Sequence, residues 1–267
     1  MAQPVRGALA FAVGFIVVWS WAAAGGVAHN DALADAPRTG TWQISVLTAQ
    51  HLLDVELGYR SDRHSWTEGQ TYPLRPDPYP GLTSAQMNST NANVQFKIVR
   101  DAGAFDCEGY FKSGNGSGMF TYVPNAAYAD ALATRGIDRP SDDQQFRLML
   151  GDVRLAEVDK LRSLGVSGLS SEALVRLAEH DAGGAYVDGL VAAGVKPASV
   201  DELVRLRDHD VLPDYVTGLA RYGYHPNVDD LVRLRDHDVS LDFVARLKAH
   251  GYNPSIDDLI RLRDAGI

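Results

Sequence analysis

The strongest constraint on this chain is a motif that returns at a fixed interval in its second half. The stretch Ser199-Val200-Asp201-Glu202-Leu203-Val204-Arg205-Leu206-Arg207-Asp208-His209 recurs from Asn227 to His237 and from Ser255 to Ala265, each copy 28 residues after the last. A weaker copy begins at Ser170, 29 residues ahead of the first, and keeps Leu174, Val175, Leu177 and His180. A unit this small cannot bury its apolar stripe alone, so the period implies stacked helical units that share one continuous core.

Each unit predicts two short helices. In the first, Ser199, Asn227 or Ser255 caps the start, and Glu202, Asp230 or Asp258 follows three residues on, where the free amides of the first turn favour an acid. Val200, Leu203, Val204 and Leu206 form its inward stripe. The second helix is expected near Pro213 to Tyr222. Pro213 costs no hydrogen bond at a helix start, and Tyr215, Val216 and Leu219 face inward, a pattern repeated by Phe243, Val244 and Leu247. Gly223-Tyr224 and Gly251-Tyr252 read as left-handed helix ends, with Asp210 and Asp238 in the corresponding place after the first helices. Counting Val153 to Leu164 as a half unit in front and another half at the back, about eight short helices are expected between 152 and 267.

Upstream the apolar period changes to two. Trp42, Ile44, Val46, then Leu53, Val55, Leu57, Tyr59, then Val94, Phe96, Ile98, then Phe105, Cys107, Phe111, then Phe120, Tyr122 alternate with polar residues, the mark of strands with one buried face. Turn signals at Asp101-Ala102-Gly103 and over Ser113 to Gly118 make 94–123 a three-stranded antiparallel meander. The proline-rich Tyr72 to Gly81 reads as an extended surface loop, and Pro124 to Arg135 as a short helix. The expected fold is therefore α+β: a small antiparallel β-sheet domain with one short helix over 40–140, followed by a C-terminal α-solenoid of two-helix repeats over 150–267.

At the other end, Ala8 to Ala28 is a run of 21 residues without a charge, preceded by Arg6. It is long enough to cross a bilayer, and the basic residue before it orients the rest of the chain outward. Small residues at Gly26-Val27-Ala28 and Ala32-Leu33-Ala34 also suit a cleavage site, so residues 1–34 are either a signal peptide or an anchor. Both alternatives place the remainder in an extracytoplasmic space. A formal net charge of −9 disfavours a nucleic-acid partner, and the single cysteine, Cys107, excludes an internal disulfide.

The motif Asp-Asp-Leu-Val-Arg-Leu-Arg-Asp-His, followed by a short helix and Gly-Tyr, resembles helical repeats appended to bacterial membrane zinc peptidases of the beta-lactam-sensing type. Val99 to Phe111 is similar to the β region that accompanies them. The resemblance spans roughly 40–267 and implies an extracytoplasmic accessory portion. The H-E-x-x-H zinc helix that defines those peptidases is absent from this sequence, so their activity does not carry over.

Four chemistry-bearing patterns remain. His180, His209 and His237 recur at repeat spacing, but stacked helices sit about 8–10 Å apart, too far for successive histidines to share one metal ion easily, and a histidine suits a helix C-terminus as a cap. Asp106 and Glu108 fall on the outer face of one strand. The glycine-rich Gly114 to Gly118 lacks the lysine of a phosphate loop and reads as a hairpin turn. The rows Arg205, Arg233, Arg261 and Arg207, Arg235, Arg263, with Asp208, Asp236 and Asp264 beside them, are either a solvated face of compensating pairs or a charged stripe that selects a partner. The expectation is an exported, non-catalytic binding or scaffolding protein that uses this stripe on an envelope or membrane protein, needs no cofactor and touches the membrane only through its N-terminal segment. The alternatives are a sensor whose β domain binds a small ligand, and a hydrolase with an unrecognised site.

Overall fold

The computed structural model describes residues 38–60 and 65–267, and the apolar run Ala8 to Ala28 lies outside them. Among the described residues no helix is long and apolar enough to cross a membrane. Six strands come first: β1 (Thr39–Leu47), β2 (Leu52–Arg60), β3 (Ser65–Pro73), β4 (Ala92–Arg100), β5 (Gly103–Lys112) and β6 (Asn115–Pro124). A one-turn helix α1 (Ser84–Met87) precedes β4, and ten further helices follow β6. They are α2 (Ala126–Thr134), α3 (Asp142–Leu150), α4 (Leu155–Ser163), α5 (Ser171–Glu179), α6 (Gly184–Ala192), α7 (Val200–Asp208), α8 (Pro213–Arg221), α9 (Val228–Asp236), α10 (Leu241–Ala249) and α11 (Ile256–Asp264). The expected α+β architecture is what the chain adopts.

Every neighbour in the sheet is antiparallel, in the order β3-β2-β1-β6-β5-β4. The alternating residues of the sequence form its buried face, with Trp42, Ile44, Val55, Phe96, Phe105, Cys107, Phe111 and Phe120 all inside. The glycine-rich stretch departs from its expectation. Only Ser113 and Gly114 make the turn, both at positive φ, and Asn115 to Gly118 already belong to β6. Gly116 is required there because a Cβ would stand 2.6 Å from the Phe111 ring. β3 was not expected at all, since Thr67, Gly69, Gln70 and Thr71 show no apolar alternation. The prolines after it behave as an extended segment, with Pro80 O accepting from Lys97 N at 2.9 Å along β4.

The eight helices expected after residue 152 are α4 to α11, and the first helices α5, α7, α9 and α11 carry the predicted caps. Ser170, Ser199, Asn227 and Ser255 all accept a hydrogen bond from the first turn of the helix they open. The array begins earlier than the sequence suggested, because α3 is the first helix that the presumed half unit lacked. Asp152, Asp181, Asp210 and Asp238 close the first helices α3, α5, α7 and α9 at φ between 47° and 53°. Gly136, Gly165, Gly194, Gly223 and Gly251 close the second helices in the same left-handed way.

Sheet and array share one apolar core within a compact unit, Pro37–Ile267. The sheet curls around α3: Phe146 packs edge-on against Tyr59 of β2 at 4.6 Å and Tyr122 of β6 at 5.1 Å, with Phe105 of β5 at 6.3 Å. Arg100, at the end of β4, is buried there with 7% of its side chain exposed. Its Nη1 donates to Met149 O at 2.7 Å and to Leu150 O, and its Nη2 lies 3.4 Å from Gln70 Oε1 and 3.3 Å from Tyr72 OH on β3. One guanidinium thus caps the C-terminus of α3 and joins the two edge strands of the sheet. The β4–β5 turn completes the joint, as Gln145 Nε2 donates to Ala102 O at 3.0 Å and Asp101 Oδ2 accepts from Leu155 N at 2.8 Å.

Candidate interaction surface

The charged rows lie across the junctions between consecutive repeats. From the first helices α5, α7 and α9 an arginine reaches forward into the first turn of the next, whereas the equivalent Arg147 of α3 pairs with Glu179 at the far end of α5. Arg176 Nη1 donates to Asp201 Oδ1 at 2.5 Å, Arg205 Nη1 to Asp229 Oδ1 at 2.6 Å, and Arg233 Nη2 to Asp257 Oδ1 at 2.7 Å. The receiving aspartates occupy helix N-termini, where a negative charge is favoured. Among the described residues, Arg261 forms its ion pair with Asp258 of its own helix, at 3.1 Å.

The histidines run in the same direction. His180 Nδ1 donates to Asp208 Oδ1 at 2.6 Å, His237 Nδ1 to Asp264 Oδ1 at 2.8 Å, and His209 makes the same bond to Asp236. The expected carbonyl cap is therefore replaced by a bond across the junction.

The other arginine row points backward. Arg207 lies 5.5 Å over the Tyr186 ring with Nη2 3.6 Å from Asp181, Arg235 lies 5.2 Å over the Tyr215 ring, and Arg263 Nε donates to Asp238 O at 3.1 Å. Arg235 Nε is buried without a hydrogen-bond acceptor and takes its electrostatic partner from the ring instead. Those tyrosines reach forward in turn, Tyr186 OH donating to Val211 O at 2.9 Å and Tyr215 OH to Val239 O at 2.7 Å.

All nine residues singled out from the sequence therefore take part in pairs, and eight of them in pairs that cross a junction, Arg261 being the exception. The forward arginines stay half-exposed, with 45% of the Arg205 side chain and 47% of the Arg233 side chain open to solvent. An exposed pair contributes at most about 1 kcal/mol. Arg205→Ala is accordingly expected to change unfolding free energy by less than about 1 kcal/mol, measured by denaturant titration beside the parent.

The tyrosine row is interrupted on α10, where Phe243 has no hydroxyl, and on α4. Tyr128 OH donates to Val153 O at 2.9 Å as its counterparts do, but the next equivalent position holds Glu157. Gly184 stands opposite, where a Cβ would come 2.4 Å from Glu157 Oε1, and a cavity of about 230 Å³ opens there. Burial holds the Glu157 carboxyl above the usual range, while Arg154, bonded at 3.0 Å, pulls the other way. A carboxyl whose pKa is raised on folding destabilises the fold where it is ionised, and that cost disappears as pH falls through the raised value. Glu157→Gln should therefore be more stable than the parent at pH 7, with the gap closing as pH falls toward 4.5, the ordinary value. Thermal melts across pH 4 to 8 measure it, and a gap that widens on acidification would contradict the assignment.

The outer face of the sheet carries a second feature. Asn93 and Gln95 of β4, Glu108 and Tyr110 of β5, and Ser117 and Met119 of β6 line an open groove of about 760 Å³. Glu108 faces this groove, whereas Asp106, one row away, is paired with Lys97 at 2.7 Å. Cys107 faces the core, where burial pushes its thiol up to about 12, so it is no nucleophile at neutral pH. No group of three or more His, Cys, Asp or Glu suited to a metal ion occurs among the described residues. No protein-family model, curated protein or solved structure matches the chain.

Proposed function

We propose that the protein is an exported, non-catalytic binding and scaffolding module of the bacterial envelope, whose helical array presents the striped face to a protein partner. The observation that carries this reading is the regularity of that face. Forward arginine–aspartate pairs and histidine–aspartate pairs recur from α5 to α11, partly exposed, on a body joined to the sheet through Phe146 and Arg100. A partner of matching pitch meets the same alternation of charge at every repeat, which favours specificity more than affinity. The N-terminal apolar run supports export, and the resemblance to extracytoplasmic repeats points to the same compartment.

The test is capture from a detergent-solubilised envelope fraction with the full chain immobilised, beside the variant Arg205→Glu, Arg233→Glu, Arg261→Glu. A protein retained by the parent and lost from the variant, with the variant's helical circular dichroism unchanged, is the expected result. The same set retained by both would overturn the assignment of the face. A second reading, a sensor whose sheet binds a small ligand, is favoured by one observation, the groove on β4 to β6.

A further inference from the structure

We infer that the groove on the outer sheet face binds an uncharged, polyhydroxylated ligand, an oligosaccharide laid across β4, β5 and β6. The inference rests on the sensor reading and names the ligand class. At about 760 Å³ the groove falls within the ordinary size of small-molecule sites, roughly 300–1,000 Å³.

The lining decides the chemistry. Asn93 and Gln95 each bring an amide that both donates and accepts, and Ser117 and Tyr110 bring hydroxyls that do the same, which is what a ligand with a hydroxyl on most carbons requires. Beside them Tyr110 is 50% exposed and Met119 53%, an apolar surface of the width on which the C–H face of a sugar ring can lie. Among the described residues, four of the seven exposed large apolar side chains, Val99, Tyr110, Met119 and Val123, lie on this one face. The lining includes no cation and a single carboxylate, Glu108, so a phosphate or other anion is not served.

The site is also rigid. Its floor is strand backbone, and beneath it Trp42 fills the space left by Gly109, where a Cβ would stand 2.7 Å from the indole, while Trp42 Nε1 donates to Glu108 O at 3.1 Å. Sites built on strands hold their polar groups in place better than sites on loops.

Isothermal titration of the full chain with chitotetraose, cellotetraose and maltotetraose tests the inference, with inorganic phosphate and a tetra-alanine peptide as comparison ligands. Saturable binding of at least one saccharide is expected, with a Kd at or below about 1 mM. It should weaken at least about tenfold in Tyr110→Ala and in Gln95→Ala, and stay unchanged in Tyr252→Ala, an exposed tyrosine elsewhere on the surface. Saccharide binding undiminished in Tyr110→Ala would overturn the site. Phosphate or peptide binding that is lost in Tyr110→Ala, without saccharide binding, would overturn the ligand class and leave the sensor reading standing. Heat from none of the five ligands would overturn both.

Discussion

Phe146→Ala should lower the unfolding free energy by about 3–5 kcal/mol, the cost of emptying a large aromatic site in a packed core. Only 1% of Phe146 is exposed, and its ring is held by Tyr59, Tyr122 and Phe105 from three different strands. For a unit of this size, each kcal/mol shifts the melting temperature by about 2–4 °C, so a fall of roughly 6–20 °C is expected. The same substitution weakens the coupling between sheet and array, so calorimetry should show the single transition of the parent broaden or split. A variant that melts within about 2 °C of the parent in one sharp transition would mean that α3 does not hold the two parts together.

Arg100→Met should cost about 3 kcal/mol, through polar groups left behind more than through lost packing, since methionine replaces much of the apolar stem. Without the guanidinium, Leu150 O loses its side-chain donor and Met149 O is left with backbone amides such as that of Asp152 at 3.3 Å. Asp152, whose carboxylate lies 3.7 Å from Arg100 Nε, loses that cation and keeps the weaker influence of Arg154. Burial already holds Asp152 above the usual carboxylate range, with Arg100 as the leading influence in the other direction. Removing that influence raises the carboxyl further, so the Arg100→Met deficit should be larger at pH 7 than near pH 4, where protonation relieves the uncompensated charge. Asp152→Asn added to Arg100→Met should recover part of the loss, because asparagine tolerates the left-handed backbone at φ 47° and carries no charge. Chemical denaturation of the parent, both single variants and the double variant at the two pH values measures the coupling. Equal deficits at both pH values, with no recovery, would contradict the role assigned to the pair.

The parts of this fold that were legible in the sequence are those fixed by period. Leu203, Val204 and Leu206 and their copies announce the first helices, and the alternation from Trp42 to Tyr122 announces the sheet, because both periods follow from where successive side chains point. α3 was legible only in hindsight: Ser141 and Gln144 form a capping box, but the stripe around Phe146 is aimed at the sheet and departs from the repeat pattern. β3 gave no signal, since an edge strand need not alternate. The spacing of the arginine and histidine rows was plain, but their partners were not. Whether Arg205 reaches forward to Asp229, and Arg207 back to Tyr186, depends on how adjacent helices are offset, which a one-dimensional pattern does not contain. Nor does a charged residue at a strand end, as Arg100 is, reveal that it meets helix carbonyls about 50 residues away.

The striped face both joins the repeats and, on the reading proposed, meets the partner, and one substitution set separates the two roles. Arg176, Arg205 and Arg233 are changed to Glu, and Asp201, Asp229 and Asp257 to Arg, so that every forward pair survives with its polarity inverted. Arginine at three helix N-termini costs about 0.3–1 kcal/mol each, which leaves the array folded. The measurement is capture of envelope proteins by this inverted chain and by the parent, with melting curves of both recorded alongside. The expected result is an array that still melts cooperatively and no longer retains the parent's partner. An inverted chain that retains the same partner, or a parent that retains none, would contradict it.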